Sequence, residues 1–219
     1  MKYQISRSLH SDFSVFEENK LAERSYFIPF STTEKLLNSD YKNERYVSDR
    51  TICLSGEWNF AYFDKLSKVP DTFDTENFSF DTVNVPSTWQ RTGYDQIAYI
   101  NTRYPFPKKP PIIPQDVAVG IYQRCFNIQS ANERRILTFL GVAGTLAVYI
   151  NGSYVGYSEG SHNTAEFDIS SFLSSGNNEI IAVNYKWSNG TYLECQDMFR
   201  ENGIFRDVYI IETKKNYIN

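Results

Sequence analysis

The densest run of chemistry-bearing side chains is Trp187-Ser188-Asn189-Gly190-Thr191-Tyr192-Leu193-Glu194-Cys195-Gln196-Asp197-Met198-Phe199-Arg200-Glu201-Asn202-Gly203. In it the carboxylates Glu194 and Asp197 stand close together among aromatics. Paired carboxylates serve glycoside hydrolysis, one as proton donor and the other as nucleophile or base. Spacing alone favours a different role, an ion-pair network with Arg200 and Arg206 that joins two loops. Nothing nearby in the sequence would raise one carboxyl pKa while keeping the other low. A single loop carboxylate can also bind, by accepting hydrogen bonds from sugar hydroxyls or by holding a hard cation together with backbone oxygens. Trp187, Tyr192 and Phe199 can stack on the apolar face of a pyranose ring, although core packing is the first reading of such residues.

Other machineries are excluded by the residues themselves. There are two histidines, His10 in a polar N-terminal stretch and His162 in the loop Gly160-Ser161-His162-Asn163, where a solvated imidazole is expected. Neither is accompanied by a Gly-x-Ser-x-Gly elbow, and the sequence has no Walker loop, Gly-x-Gly-x-x-Gly turn or His-Glu-x-x-His pair. The three cysteines, Cys53, Cys125 and Cys195, are far apart and odd in number, which fits reduced thiols in a cytoplasm better than a disulfide framework or a zinc site. Sequons at Asn77, Asn151 and Asn189 read as coincidental without a secretory leader.

The 219 residues carry 22 Lys+Arg against 26 Asp+Glu, a net charge of −4, so the basic excess of a nucleic-acid binder is missing. An apolar content of 41%, with 16% aromatic residues, is ample for a packed core. No apolar run approaches the ~18 residues that would span a membrane. The expected partners therefore include neither nucleic acid nor membrane.

The elements that must position Glu194 and Asp197 read as strands. Residues 1–48 are polar and irregular, and Leu21 to Phe30, interrupted by Pro29, reads as an extended arm lying on a partner surface. Strand patterns follow at Glu57–Phe63, Asp81–Pro86, Gly120–Ile128, Arg135–Leu140, Leu146–Ile150, Ser153–Tyr157, Asn178–Trp187 and Gly203–Ile211. Asn151-Gly152 between two of them predicts a type I′ hairpin, since both residues tolerate positive φ. A short helical turn is expected within Phe167–Leu173. Seven or more strands and few helical windows predict an all-β sandwich. Five of the eight prolines lie in Tyr104–Pro114, which reads as a rigid surface loop in preference to a spacer between domains.

Five stretches, in order, carry a family resemblance. They are Leu54-Ser55-Gly56-Glu57-Trp58-Asn59-Phe60; Val85-Pro86-Ser87-Thr88-Trp89-Gln90; Asn101-Thr102-Arg103-Tyr104-Pro105-Phe106-Pro107 with Pro110-Pro111; Val148-Tyr149-Ile150-Asn151-Gly152 through Val155-Gly156-Tyr157; and Trp187 through Val208. Together they resemble the N-terminal sugar-binding domain of glycoside hydrolase family 2 β-galactosidases. The Tyr-Pro-Phe-Pro stretch and the Gln196-Asp197 motif favour that branch over β-glucuronidases and mannosidases. Departures include Cys195, where the family commonly has aspartate, Asp116–Gly120 in place of Glu-Asn-Pro-Thr-Gly, and Ile100 and Thr102 flanking Asn101.

The resemblance implies a jelly-roll β-sandwich at 49–213, preceded by the arm at 1–48 and followed by a linker at 214–219 toward an absent downstream domain. It implies that the catalytic glutamates lie on a downstream (β/α)₈ barrel, which needs roughly 250 residues of its own. This chain is accordingly expected to be inactive alone, with no catalytic residue and no cofactor of its own. By the same resemblance Asn101 and Asp197 contact the galactosyl group, and Asp197 also ligates a sodium ion in the full-length enzyme; magnesium is a second ion to consider there. Glu194 keeps the structural reading. The expected partners are a β-galactoside, the downstream domains of the same polypeptide and, for the full-length enzyme, further copies of itself. The rivals are a free-standing carbohydrate-binding module, a purely architectural domain and the same domain of another family 2 glycosidase.

Overall fold

The computed structural model describes residues 1–101, 103–194 and 197–214. Thr102, Cys195, Gln196 and the linker residues 215–219 lie outside the described residues. In chain order the first strands are β1 (Lys2–Tyr3), β2 (Glu17–Glu18), β3 (Thr51–Cys53), β4 (Gly56–Phe63), β5 (Phe73–Asp74), β6 (Asp81–Val85), β7 (Ala98–Tyr99), β8 (Val119–Ile128) and β9 (Arg134–Phe139). They continue as β10 (Val142–Ala143), β11 (Leu146–Ile150), β12 (Ser153–Ser158), β13 (Ala165–Asp168), β14 (Gly176–Tyr185), β15 (Phe199–Arg200), β16 (Gly203–Ile204) and β17 (Val208–Thr213). The expected strand at Gly203–Ile211 is divided by Phe205–Asp207, and the turn expected after Phe167 is a 3₁₀ turn at Ser170–Phe172.

A seven-stranded antiparallel sheet, in the order β2-β12-β11-β14-β8-β4-β6, faces a four-stranded sheet, β13-β9-β17-β3. Between them Trp58, Phe60, Tyr122, Val148 and Ile180 pack against Leu137, Phe139, Phe167, Val208 and Ile210. This is a jelly-roll β-sandwich. Asn151 and Gly152 turn the β11–β12 hairpin with φ of 50° and 84°, as a type I′ turn requires.

The middle of the larger sheet is buried on both faces, which explains why β11 and residues 180–183 of β14 are continuously apolar instead of alternating. Its outer face, with Ile121, Ala147, Tyr149, Ile181, Val183 and Tyr185, is covered by Tyr3, Ile5, Leu66, Phe73 and Ile113. The covering layer is therefore built from the N-terminal residues and the loops after β4 and before β8. Prolines 105–114 belong to this cover: Phe106 packs edge-on against Trp187 at 5.4 Å, and Tyr104 lies 5.0 Å from Tyr192. β6, which precedes β7 and this loop, and β8, which follows it, share the seven-stranded sheet, so the loop is a surface element of one sandwich.

The N-terminal residues correct one expectation. The stretch Leu21–Phe30 does not await a partner surface: Leu21 and Ile28, with Tyr46, pack on Ile136, Leu140, Tyr209 and Ile211, the outer face of the four-stranded sheet. Further upstream, β2 adds to the edge of the seven-stranded sheet through Tyr157↔Glu18 and Ser158↔Glu17. No helix among the described residues is long and apolar enough to cross a membrane.

Candidate functional site

One end of the sandwich gathers the loops at 86–101 and 186–203. The loop after β6 is stitched to the loop before β16 by main-chain bonds, Ser87 N to Ile204 O at 2.8 Å and Trp89 N to Asn202 O at 2.9 Å. Gln90 Oε1 accepts from Asn202 N at 2.9 Å, and Lys186 pairs with Asp95 at 2.6 Å. On this base the two-residue strands β7 and β15 pair antiparallel, Tyr99 opposite Phe199 and Ala98 opposite Arg200. That ladder is what brings Asn101 and Asp197 together across the 96 positions that separate them.

Asn101 Nδ2 donates to Asp197 Oδ1 at 3.2 Å, and the Tyr99 hydroxyl donates to the same oxygen. Asn101 Nδ2 also lies 3.4 Å from the Tyr99 hydroxyl, which closes a triangle of three exposed polar groups. Asp197 adopts φ of 55°, a left-handed conformation that aspartate tolerates better than most side chains. A carboxylate offers about four acceptor positions, so two donors on Oδ1 leave Asp197 able to take hydrogen bonds from a ligand or to ligate a hard cation. Around it stand exposed apolar side chains: Phe199 is 67% exposed and its ring meets Tyr99 edge-on at 6.0 Å. Met198 and Phe199 run on, with Phe205, His162 and Thr88, into the lining of a cavity of about 140 Å³.

The other sequence candidates separate cleanly. Glu194 is held inside the fold: its carboxylate accepts from Ser161 N and Ser161 Oγ, each at 2.7 Å, and from Arg200 at 3.3 Å. It is thus half of the expected ion-pair network. Arg206 is not part of it, donating instead to the carbonyls of Leu140 and His162 at 3.3 and 3.0 Å. Trp187 is buried and Tyr192 half-buried against the outer core, where the Tyr192 hydroxyl donates to Ile112 O at 2.8 Å. Of the three aromatics considered for stacking, Phe199 is the exposed one. His162 is exposed in its loop, whereas His10 is fully buried, stacked on Tyr185 at 5.1 Å, with burial pushing its pKa down to about 4.

Tyr99 joins this cluster although the sequence reading does not single it out. The available signal was its position two residues before Asn101, because side chains two apart in extended chain share a side.

As a cation ligand set, the residues present fit in part. Asp197 supplies the anionic oxygen that a hard cation prefers, and the described residues hold no cluster of three or more acidic, histidine or cysteine ligands. A sodium ion at Asp197 would draw its remaining oxygens from main-chain carbonyls, water or groups beyond these residues.

A β-sandwich whose polar loops converge at one end, under a rim of exposed aromatics, defines a ligand-binding type of domain. The chain belongs to the sugar binding domain of glycosyl hydrolases family 2, whose sequence profile matches residues 52–214. It is 41% identical over 207 residues to a β-galactosidase of Actinobacillus pleuropneumoniae, covering 94% of this chain and 20% of the relative. A β-galactosidase of Staphylococcus xylosus is 41% identical over 211 residues, covering 95% and 21%. The chain thus spans about a fifth of the length of these relatives. The fold is shared with a β-glucuronidase from an uncultured Clostridium, at a TM-score of 0.54 and 19% identity over 75% of this chain and 29% of that one.

Proposed function

We propose that this chain is the non-catalytic N-terminal domain of a cytoplasmic β-galactosidase, and that it forms one wall of the pocket that receives terminal β-D-galactose. The single observation that carries this reading is the hydrogen-bonded meeting of Asn101 with Asp197 at an exposed loop end. Two of the relatives that match nearly the whole chain bear the name β-galactosidase, which supports a galactoside as the sugar.

In the full-length enzyme Asn101 and Asp197 orient the galactosyl group by hydrogen bonds, and Asp197 contributes an oxygen to a sodium site. Magnesium, if used, is held outside this domain. The two reacting carboxyls belong to a downstream barrel; a retaining mechanism places them about 5–5.5 Å apart and passes through a covalent glycosyl-enzyme. Assembly of the full-length enzyme into homo-oligomers is part of the same proposal.

The test is calorimetric titration of this chain with galactose and lactose, in sodium and then in potassium buffer, beside kinetics of the full-length enzyme carrying Asp197→Ala. The expected result is no binding at millimolar sugar by the chain alone, and a KM raised at least tenfold in the variant. Tight binding by the chain alone would instead mark a free-standing carbohydrate-binding module. Unchanged kinetics in the variant would mark an architectural domain.

A further inference from the structure

We infer that Tyr99 is the positioning residue of the galactosyl-contacting pair, coupling Asn101 to Asp197 through one shared carboxylate oxygen. This rests on the reading of Asn101 and Asp197 as sugar-contacting groups.

The placement of Tyr99 is unusual in being fixed from two directions. Its main chain lies in the β7–β15 ladder, opposite Phe199, and its ring meets the Phe199 ring edge-on at 6.0 Å. Its hydroxyl then returns to Asp197, two residues before its ladder partner. The ladder sets the distance between the 98–101 and 197–200 segments, and the hydroxyl sets which carboxylate oxygen of Asp197 is engaged within the protein.

Asp197 needs such a constraint. It sits in the left-handed region on an exposed loop, where a short side chain has several rotamers within reach. Oδ1 is taken by the phenol and by the Asn101 amide, and no donor among the described residues reaches Oδ2, which we therefore assign to the ligand. The phenol is also 3.4 Å from Asn101 Nδ2, so the amide and the carboxylate are oriented by one group and not independently. A hydrogen bond to a charged acceptor is stronger than one between neutral groups and strongly directional, which suits it to this task.

The test uses the full-length polypeptide carrying this domain, with Tyr99→Phe, Asn101→Ala, the double variant and Asp197→Ala. Tyr99→Phe retains the ring and its contact with Phe199, so unfolding should stay within the wild-type range. The expected result is a KM for a nitrophenyl galactoside raised about tenfold, a sodium half-saturation raised in parallel and a kcat within twofold of wild type. The double variant should cost less than the product of the two single effects, because both donors serve the same oxygen.

An unchanged KM and sodium response in Tyr99→Phe, with Asp197→Ala strongly impaired, overturns the role of Tyr99 and leaves the reading of Asp197 standing. Effects of Tyr99→Phe and Asn101→Ala that multiply independently also overturn it. If Asp197→Ala is itself silent, the functional reading fails first and this inference with it. Should Tyr99→Phe lower the melting temperature while KM per active site stays at the wild-type value, Tyr99 is structural only and the inference is wrong.

Discussion

Ser161 offers both its main-chain N–H and its hydroxyl to the Glu194 carboxylate, at 2.7 Å to Oε1 and 2.7 Å to Oε2. Arg200 closes the group from the other side, reaching Glu194 Oε2 at 3.3 Å and the Glu194 carbonyl at 2.9 Å. Ser161 is 3% exposed and Arg200 8%, so these partners have little water to fall back on. Glu194 thereby pins the loop that delivers Asp197 three residues later.

Glu194→Ala should therefore destabilise the domain by about 3 kcal/mol, the usual cost of stranding one half of a buried, hydrogen-bonded charge pair. Urea denaturation measures this. Glu194→Gln keeps the acceptor oxygen and should lose less. In the full-length enzyme Glu194→Gln should leave kcat within a few-fold of wild type. A collapse of kcat by several orders of magnitude would instead make Glu194 a reacting carboxyl.

Arg24 and Glu166 form a second buried pair, with Nε to Oε2 at 2.8 Å and Nη2 to Oε1 at 2.7 Å. Thr138 Oγ1 also donates to Glu166 Oε1, at 2.9 Å. Both charged side chains are 9% exposed, and the guanidinium lies over the Phe27 ring at 4.4 Å. This is the polar anchor of the N-terminal stretch on the four-stranded sheet. Arg24→Ala leaves the nearly dry Glu166 side chain without its guanidinium partner, and should cost about 3–5 kcal/mol. Replacing both partners together, as Arg24→Met with Glu166→Leu, should recover most of that loss. Thermal unfolding of the three variants decides it: a double variant as unstable as Arg24→Ala contradicts the account.

Much of this architecture is legible in the sequence, and the exceptions have physical causes. Alternation at Glu57–Phe63 and the Asn151-Gly152 turn give their strands directly, because a half-exposed strand and a type I′ turn each leave a local signature. The apolar runs at Leu146–Ile150 and 180–183 show burial, but whether one face or two is covered depends on residues over a hundred positions away, such as Tyr3 and Ile5. The destination of Leu21–Phe30 is hidden for the same reason. Asn101 and Asp197 are singled out by family motifs alone; spacing places Glu194 and Asp197 in the same ion-pair reading, and the structure gives Glu194 such a partner in Arg200, with Ser161 alongside. Tyr99 escaped because β7 is two residues long, too short to show a period.

A buried histidine and a half-buried glutamate should shape stability against pH in opposite directions. Burial pushes the His10 pKa from 6.5 down to about 4, so His10 contributes stability above pH 6.5 that is lost as pH falls toward 4. Burial pushes Glu159 from 4.5 up to about 7, against the hydrogen bonds from Tyr157 and Gly190 that favour its ionised form. Glu159 therefore contributes stability below pH 4.5 that is lost as pH rises toward 7. Between pH 4.5 and 6.5 the two slopes largely cancel in the wild type. His10→Gln should expose the Glu159 slope, with stability falling by up to about 1.4 kcal/mol per pH unit across that window. Glu159→Gln should show the opposite tilt. Chemical denaturation at half-unit pH steps reads both, and parallel profiles for the two variants would refute the assignment.

Gly156 decides whether β2 can join the sheet at all. It lies in β12 opposite Val148, and a Cβ there would stand 2.5 Å from the Glu18 carbonyl oxygen and 2.8 Å from Cε1 of Phe167. Neither neighbour yields cheaply: Phe167 is fully buried, and Glu18 is the residue through which β2 pairs with Tyr157. The glycine is needed here for proximity, since a chain must pass where a side chain would otherwise be. Gly156→Ala should force β2 outward and cost about 1–3 kcal/mol, the range for overfilling a packed site. The loss should be local before it is global, because neighbouring contacts, such as Asn19 Nδ2 to Val155 O at 2.8 Å just after β2, depend on the same approach. Amide exchange should therefore accelerate at Glu159, whose N–H donates to Phe16 O, and at Leu21, whose N–H donates to Glu166 O, while β8 and β14 remain protected. Equal acceleration throughout the sandwich would mean that Gly156 guards the core and not the docking of β2.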